Sequence, residues 1–467
     1  MLKGVIPVMI GILIALIPRP PGLELNAWIY FALFAAVIAG LVLEPLPAAA
    51  IGVIGVVAAT VSGLVFPKPG DAIRWALSGF SNTVVWLIFT AFLFAYGYNK
   101  TGLGKRISLY FIKHLGGRTL GLAYAISLSD LALAPFMPSN TARGGGTIYP
   151  IISNIPPMYG SRPGDGTERK IGAYIMWNAF AVNCVTSSMF ITALAPNLLV
   201  VSLAAAQKIT LEWLPWFIGF APVGLLLIGT VPIITYLIYP PEVKVSPEVP
   251  RWASEELGKL GKLSVKELVF LGGVVLALIL WTIGSDYIDA TATALLVVSI
   301  MLVAGIFEWR DILSNTAAWN VLVWFGTLVT LADGLARVGF VKYAAGEFTK
   351  LIGGLDPTVV LVLILLFYYF IHYAFASITA HVTAVFPVII TVLLTFFSQH
   401  PLLAAFAVAY THGIMGVISP YATGPAPIFY GSGYIKGSDF WRLGFIYGLI
   451  YIIFLIAIGL PWLSVIY

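Results

Sequence analysis

Charge is scarce in this chain, and cysteine is almost missing. Of its 467 residues only 10% are Asp, Glu, Lys or Arg, against about 25% in a soluble domain. That excludes a surface built to face water all round. Cys184 stands alone, which excludes an intramolecular disulfide framework and the usual cysteine-rich metal sites. There is no HExxH, no glycine-rich nucleotide loop and no nucleophile–base spacing. Nothing here points to an enzyme, and the expectation is of no cofactor and no metal. The formal charge of +5 does not point to nucleic acid, because the basic residues lie in loops that suit membrane orientation. No cleavable signal is expected, since Pro18, Arg19, Pro20 and Pro21 follow the apolar run 5–17 where small residues would be needed.

What the chain does have is length of apolar run. Hydrophobic residues make up 60% of it, and the mean hydropathy is +0.97. Segments 28–43, 48–65, 267–283 and 291–306 approach the ~20 apolar residues that span a bilayer. The pattern predicts an all-α integral membrane protein with about eleven crossings: 4–17, 28–44, 48–66, 84–112, 171–204, 213–239, 265–284, 290–307, 317–349, 402–434 and 440–466. Two further apolar segments, 119–150 and 357–396, are each interrupted by a polar cluster. Their arms look too short to span, so they read as re-entrant helical hairpins. With the N-terminus inside and the C-terminus outside, 17 of the 25 basic residues fall on the inner side, in keeping with the positive-inside rule.

The polar clusters are Ser139-Asn140-Thr141-Ala142-Arg143 and Ser377-Ile378-Thr379-Ala380-His381, 238 residues apart. Other pairs recur at nearly the same offset. Ser81-Asn82-Thr83 matches Ser314-Asn315-Thr316, Gly102-Leu103-Gly104 corresponds to Val338-Gly339-Phe340, Gly116-Gly117 to Gly353-Gly354, and Pro150 to Pro387. Five crossings separate equivalent points, an odd number, so the halves should be inverted repeats, the plan of many secondary transporters. The boundaries expected are an N-terminal helix 1–25, a first repeat 26–239, a linker 240–264 and a second repeat 265–467. Each hairpin should face a broken helix. In 171–204 the break falls around Ser187-Ser188 and Pro196-Asn197. In 402–434 it falls across 419–427, where Pro420, Pro425 and Pro427 remove amide donors and Gly424 loosens the backbone.

The Ser-Asn-Thr triplets at 81–83 and 314–316 precede apolar helices and read as N-caps. The hairpin clusters combine cap and site, because a helix N-terminus aimed at the midplane favours an anion. Arg143 is expensive at bilayer depth and needs a partner. It either faces a bound carboxylate or pairs structurally with Asp130 in the same hairpin. His381 occupies the equivalent position, and its charge is not legible. His372 and His412 have no symmetric basic counterpart and read as structural. Phe136, Met137, Met189, Phe190 and Tyr421 either shape a pocket or pack the core.

With these motifs in order, together with Gly79-Phe80-Ser81, Ala195-Pro196-Asn197 and the Pro-Tyr-Ala-Thr-Gly run at 420–424, the chain resembles the divalent anion/sodium symporter family of di- and tricarboxylate transporters from about residue 25 onward. The resemblance implies a homodimer in the cytoplasmic membrane and an elevator-type transport domain. It also implies small carboxylate substrates bound by Ser139, Asn140, Thr141, Ser377 and Thr379. The candidate set is completed by Arg143, Ser187, Ser188, Pro196, Asn197, His381, Ala422, Thr423, Gly424 and Pro425. One departure stands out: sodium-coupled members carry Ser-Asn-Thr at both tips, and here Ile378 replaces the second amide. Arg143 and His381 then stand where mobile cations would sit. The pattern is closer to the family's exchangers, such as citrate/succinate, tartrate/succinate and 2-oxoglutarate/malate antiporters. It predicts sodium-independent dicarboxylate exchange, with a sodium-coupled symporter as the alternative. Two fixed cations would leave the loaded site nearly neutral and the empty one charged, which would favour exchange.

Overall fold

The computed structural model describes residues 2–467, and the fold is helical throughout. Among the described residues no strand forms; a lone antiparallel bridge joins Arg118 to Val245. The first stretch runs α1 (Leu2–Leu16), α2 (Leu25–Leu43), α3 (Ala48–Val61) and α4 (Pro69–Ser78). After it, α5 (Thr83–Thr101) and α6 (Leu103–Leu115) meet at Gly102, whose φ of +80° gives the left-handed turn glycine adopts freely. Next come α7 (Thr119–Leu133), a break, a π-helical run Thr141–Ile148 and α8 (Tyr149–Ile152). The half closes with α9 (Gly172–Met189), α10 (Ala195–Ala205) and α11 (Trp213–Ile238).

A connecting helix, α12 (Glu248–Leu260), leads through α13 (Val265–Thr282), α14 (Ala290–Val303) and α15 (Trp309–Ser314) into a second series. There α16 (Thr316–Arg337) and α17 (Phe340–Ile352) meet at Gly339, again left-handed at φ +88°. Then follow α18 (Pro357–Phe370), a break, α19 (Ile378–Phe396), α20 (Pro401–Ala409), α21 (Thr411–Ile414), an irregular run, α22 (Ala426–Gly431), α23 (Gly437–Phe454) and α24 (Leu460–Ile466). The caps repeat as well: Asn82 Oδ1 accepts from the Val84 amide at 2.9 Å, and Asn315 Oδ1 from the Ala318 amide at 3.1 Å.

Among the described residues eight helices are long and apolar enough to cross a membrane, or nine if the bent pair Pro69–Ser81 and Thr83–Thr101 counts as one span. Eleven crossings were expected: 28–44, 213–239, 265–284, 317–349 and 440–466 are among these eight and 84–112 falls in the bent pair, whereas 4–17, 48–66, 171–204, 290–307 and 402–434 are not matched. Helices α3 and α14 have 14 residues each, roughly 21 Å at 1.5 Å per residue, short of a ~30 Å hydrocarbon core. The segment 402–434 is cut into pieces. The hairpin arms depart in the other direction. Thr119–Phe136, Pro357–Ala374 and Ile378–Phe396 all reach spanning length, so arm length does not mark them as re-entrant. Chain reversal does make each segment a hairpin. Asp130 and Arg143, 13 residues apart, touch at 3.1 Å. Tyr368 and His381, also 13 apart, place their rings 4.3 Å apart.

The core centres on α9. All 18 of its residues are buried, as befits a helix with no water-facing or lipid-facing stripe. It packs on α7, α11 and α21. A smaller separate cluster joins α2, α3 and α4 to α16 and α17 through Tyr30, Phe34, Trp75, Leu331 and Val341.

Candidate functional site: a cavity between two hairpin tips

The breaks in the chain are what build this site. Helix α7 stops at Leu133 because Pro135 and Pro138 follow, and Met137 takes an extended conformation (φ −121°, ψ 90°). In the second half Phe375 and Ser377 are extended before α19 begins, and Ser377 Oγ accepts from the Ala380 amide at 3.4 Å. At the first tip Ser139 Oγ accepts from the Ala142 amide at 3.1 Å. Helix α9 ends at extended Phe190, and Asn197 Nδ2 pins that break by donating to the carbonyls of Ser187 (2.8 Å) and Phe190 (3.1 Å).

These tips converge on a cavity of about 270 Å³. Its walls include Ser139, Asn140 and Thr141 from the first tip, Ser377, Ile378 and Thr379 from the second, Pro196 at the start of α10, and Thr423 and Gly424 from the irregular run. Asn140 Nδ2 donates to Thr423 Oγ1 at 2.7 Å, stitching the first tip to the second half. Gly424 is needed there, because a Cβ at that position would lie 1.9 Å from Thr141 Oγ1. The N-termini of α10 and α19 both open on this space, and their first amides have no intrahelical acceptor. A larger cavity of about 830 Å³ among α1, α2 and α3 is almost wholly apolar and holds none of the polar motifs.

Eight of the fifteen candidate residues line the cavity: Ser139, Asn140, Thr141, Pro196, Ser377, Thr379, Thr423 and Gly424. Arg143, Ser187, Ser188, Asn197, His381, Ala422 and Pro425 do not; each is hydrogen-bonded within the protein instead. None of Phe136, Met137, Met189, Phe190 and Tyr421 lines it either. Glu44 at the end of α2, Phe92 on α5, and Val321, Trp324 and Phe325 on α16 do, and sequence reasoning missed them. Glu44 carried a signal, a lone acid between apolar runs, and it adopts a left-handed backbone (φ +48°) uncommon for a non-glycine residue. Trp324 and Phe325 carried none, being aromatics in an apolar helix.

Of the two roles open to Arg143, the structure displays the pairing with Asp130. The arginine is fully buried, and every guanidinium nitrogen is bonded to protein. Nε donates to Asp130 Oδ2 at 3.1 Å, Nη1 to the carbonyls of Met137 (2.8 Å) and Ala193 (2.9 Å), and Nη2 to Thr186 Oγ1 (3.3 Å) and Ser187 Oγ (2.9 Å). No donor is left for a ligand in the cavity. Asp130 in turn accepts from Asn183 Nδ2 at 2.9 Å and from the Thr186 hydroxyl. The charge of Arg143 is therefore balanced inside the protein.

Behind the second tip, three histidines that looked unconnected in the sequence come together. His372 Nδ1 meets His381 Nδ1 at 3.1 Å, His372 Nε2 meets the Ala422 carbonyl at 2.8 Å, and His412 Nε2 meets Tyr368 Oη at 2.9 Å. Ser188 ties the two broken helices: its Oγ donates to the Tyr410 carbonyl at 2.7 Å and accepts from the Ile414 amide at 3.1 Å.

An all-helical body with spanning helices and a polar cavity enclosed between chain breaks is that of an integral membrane transport protein. The chain belongs to the sodium:sulfate symporter family, whose transmembrane region matches residues 1–467. It is 46% identical over 474 residues to the L-tartrate/succinate antiporters of Escherichia coli (strain K12) and Shigella sonnei (strain Ss046), covering 98% of this chain and 97% of each relative. Its fold is similar to the crystal structure of the YdaH transporter of Alcanivorax borkumensis, with a TM-score of 0.57 at 15% identity, over 85% of this chain and 90% of that one.

Proposed function

We propose that this protein exchanges small dicarboxylates, of the tartrate and succinate class, across the membrane. The observation that carries the reading is the cavity walled by both hairpin tips, where hydroxyls and two helix N-termini converge in the arrangement that favours an anion. The antiporter relatives at 46% identity support the same class of substrate.

Sodium is not required on this reading. Arg143 fills a cradle of five oxygens: two carbonyls, two hydroxyls and a carboxylate. That is a donor set suited to a hard cation, and a tethered guanidinium already occupies it. Arg143 thus stands in for a cation while touching no substrate. In the second half the Ala422 carbonyl is similarly engaged, by His372. An emptied cavity leaves its helix-terminal amides without an anion, so the loaded carrier crosses more readily than the empty one. That difference favours exchange over net uptake.

The wider frame follows the same reading: two inverted repeats, an elevator-like movement of hairpins and broken helices against the rest, a homodimer, and a cytoplasmic-membrane setting with N-terminus inside and C-terminus outside. Proteoliposomes loaded with unlabelled succinate should take up labelled tartrate and succinate equally well with and without sodium. Uptake into empty vesicles driven by a sodium gradient would overturn the exchange reading in favour of a sodium-coupled symporter.

A further inference from the structure

The charge around the cavity does not balance. Its walls hold no Lys, Arg or His, and the one charged residue among them, Glu44, is acidic. Arg143 is cancelled by Asp130. A dicarboxylate adds two negative charges, while each helix N-terminus offers only about half an elementary charge. A low-dielectric site needs a further cation.

The histidine cluster directly behind the second tip is built to supply one. A carbonyl only accepts, so the bond to Ala422 fixes the hydrogen of His372 on Nε2 and leaves Nδ1 as an acceptor. The 3.1 Å contact then requires His381 Nδ1 to donate, which places the free lone pair of His381 on Nε2. That Nε2 is buried and has no partner. His412 Nδ1 is also buried without a partner, and its hydrogen depends on whether Tyr368 Oη donates to or accepts from Nε2. An open imidazole nitrogen in a buried histidine cluster is an unfilled proton site. The cluster reaches the cavity through two short covalent paths: His381 lies two residues past Thr379, and Ala422 precedes Thr423.

We propose that His372, His381 and His412 form a proton site loaded together with the dicarboxylate, one proton binding to the cluster as the anion enters. This rests on the dicarboxylate reading above. The proton comes from water, adds to an open ring nitrogen to give an imidazolium, and returns to water when the anion leaves; no other bond changes. An imidazolium far from water is costly by itself and becomes affordable beside an anion, so proton and substrate each raise the affinity for the other.

The surroundings allow this. Facing His381 are Tyr368 at 4.3 Å, Phe375 at 4.8 Å and His372 at 5.2 Å between ring centroids. His412, on α21, packs on Phe386 of α19 at 6.2 Å. Tyr369 is committed to the Ile414 carbonyl. Of the other elements on α19, α17 carries Lys342, Tyr343, Glu347 and Lys350, the last two paired at the surface. On α16 the charged pair is exposed Arg337 with half-buried Asp333, which also accepts from Trp75 Nε1, and Tyr30 of α2 donates to the Leu331 carbonyl. Helices α10 and α20 carry no titratable side chain.

Calorimetric titration of the purified protein with succinate, in two buffers of unlike ionisation heat, counts protons taken up per anion bound. Uptake should approach one, and affinity should weaken by up to about tenfold per pH unit on the alkaline side of the cluster's titration. In His381→Gln, which keeps hydrogen-bonding capacity, uptake should fall toward zero. Wild-type binding with no proton uptake and a flat affinity between about pH 6 and 9 overturns the proposal. If neither succinate nor tartrate binds at all, it is the transport reading that fails. Should His381→Gln not fold, His372→Gln and the wild-type pH series decide: uptake unchanged in a folded His372→Gln also counts against the cluster.

Discussion

Arg143 shows what one residue's surroundings do to its role. Removing its side chain leaves Asp130 buried and charged with its main partner gone, which costs ~3–5 kcal/mol for a sequestered pair. Arg143→Ala should therefore appear first as lost thermal stability and low yield of folded protein. Asp130→Asn with Arg143→Gln, which removes both charges, should recover part of that loss. If Arg143→Ala instead folds normally and only weakens substrate affinity, the guanidinium reaches the cavity after all. Gly424 should behave in the opposite way. A Cβ there meets Thr141 Oγ1 at 1.9 Å, so Gly424→Ala should spread the tip from the irregular run while leaving the buried core intact. Counterflow should fall at least ~tenfold, a barrier change of about 1.4 kcal/mol, with the melting temperature nearly unmoved. The cavity's polar half was legible in the sequence because Ser139, Thr141, Ser377 and Thr379 stand out in apolar runs. The α16 wall was not, since Trp324 looks like any membrane aromatic. The histidine cluster was hidden because chain reversal, not spacing, brings His372, His381 and His412 together.

Among the elements, the caps and the connecting helix are the most exposed to test. Asn82→Ala and Asn315→Ala each remove the acceptor for an N-terminal amide, and each should cost about 1 kcal/mol by thermal unfolding. The connecting segment was expected to be a plain linker. It contains a 13-residue helix docked on α6, with Val249 and Ala253 fully buried. Arg106 anchors it, donating to Glu267 at 2.6 Å and to the Gly261 carbonyl at 2.9 Å. Arg106→Ala should lower hydrogen-exchange protection across 248–262 by ~1.5–3 kcal/mol, the scale of a charged hydrogen bond. The neighbouring Glu256 is weaker. Lys259 first, then Lys105, hold its carboxyl down to about 2 from 4.5. A depressed carboxylate stabilises fully above its unfolded value and loses that contribution as pH falls through its folded one, here between roughly 4.5 and 2. Because the group is solvent-screened, Lys105→Ala should cost under about 1 kcal/mol at neutral pH and nothing near pH 2. Periodicity could not reveal this docking, because the segment's charges pair with α6 across more than a hundred residues of chain.

At the scale of the whole molecule, the bonds sort into two groups, and the cavity lies where they meet. Arg143 joins the first hairpin to α9, Ser188 joins α9 to α20 and α21, and His372 joins the second hairpin to the irregular run. Opposite them, α2, α3, α4 and α16 share a separate core and contribute Glu44, Val321, Trp324 and Phe325 to the cavity wall. If the first group moves past the second with its cargo, the charge it carries decides how it responds to voltage. Arg143 and Asp130 travel together and cancel. A tartrate leg and a succinate leg bear the same two charges, and each would bear the same single proton on the histidines. The two legs of one exchange cycle then move equal charge in opposite directions. An uncompensated charge crossing the full field would feel ~2.3 kcal/mol per 100 mV, about fiftyfold in the final substrate ratio. Tartrate/succinate exchange in vesicles clamped at −100 mV and at 0 mV should therefore carry no net current and settle at the same gradients within about twofold, at any pH where both run. A final gradient that shifts steeply with voltage would mean that one leg carries a proton or a metal ion the other lacks, and the exchange would then be coupled, not balanced.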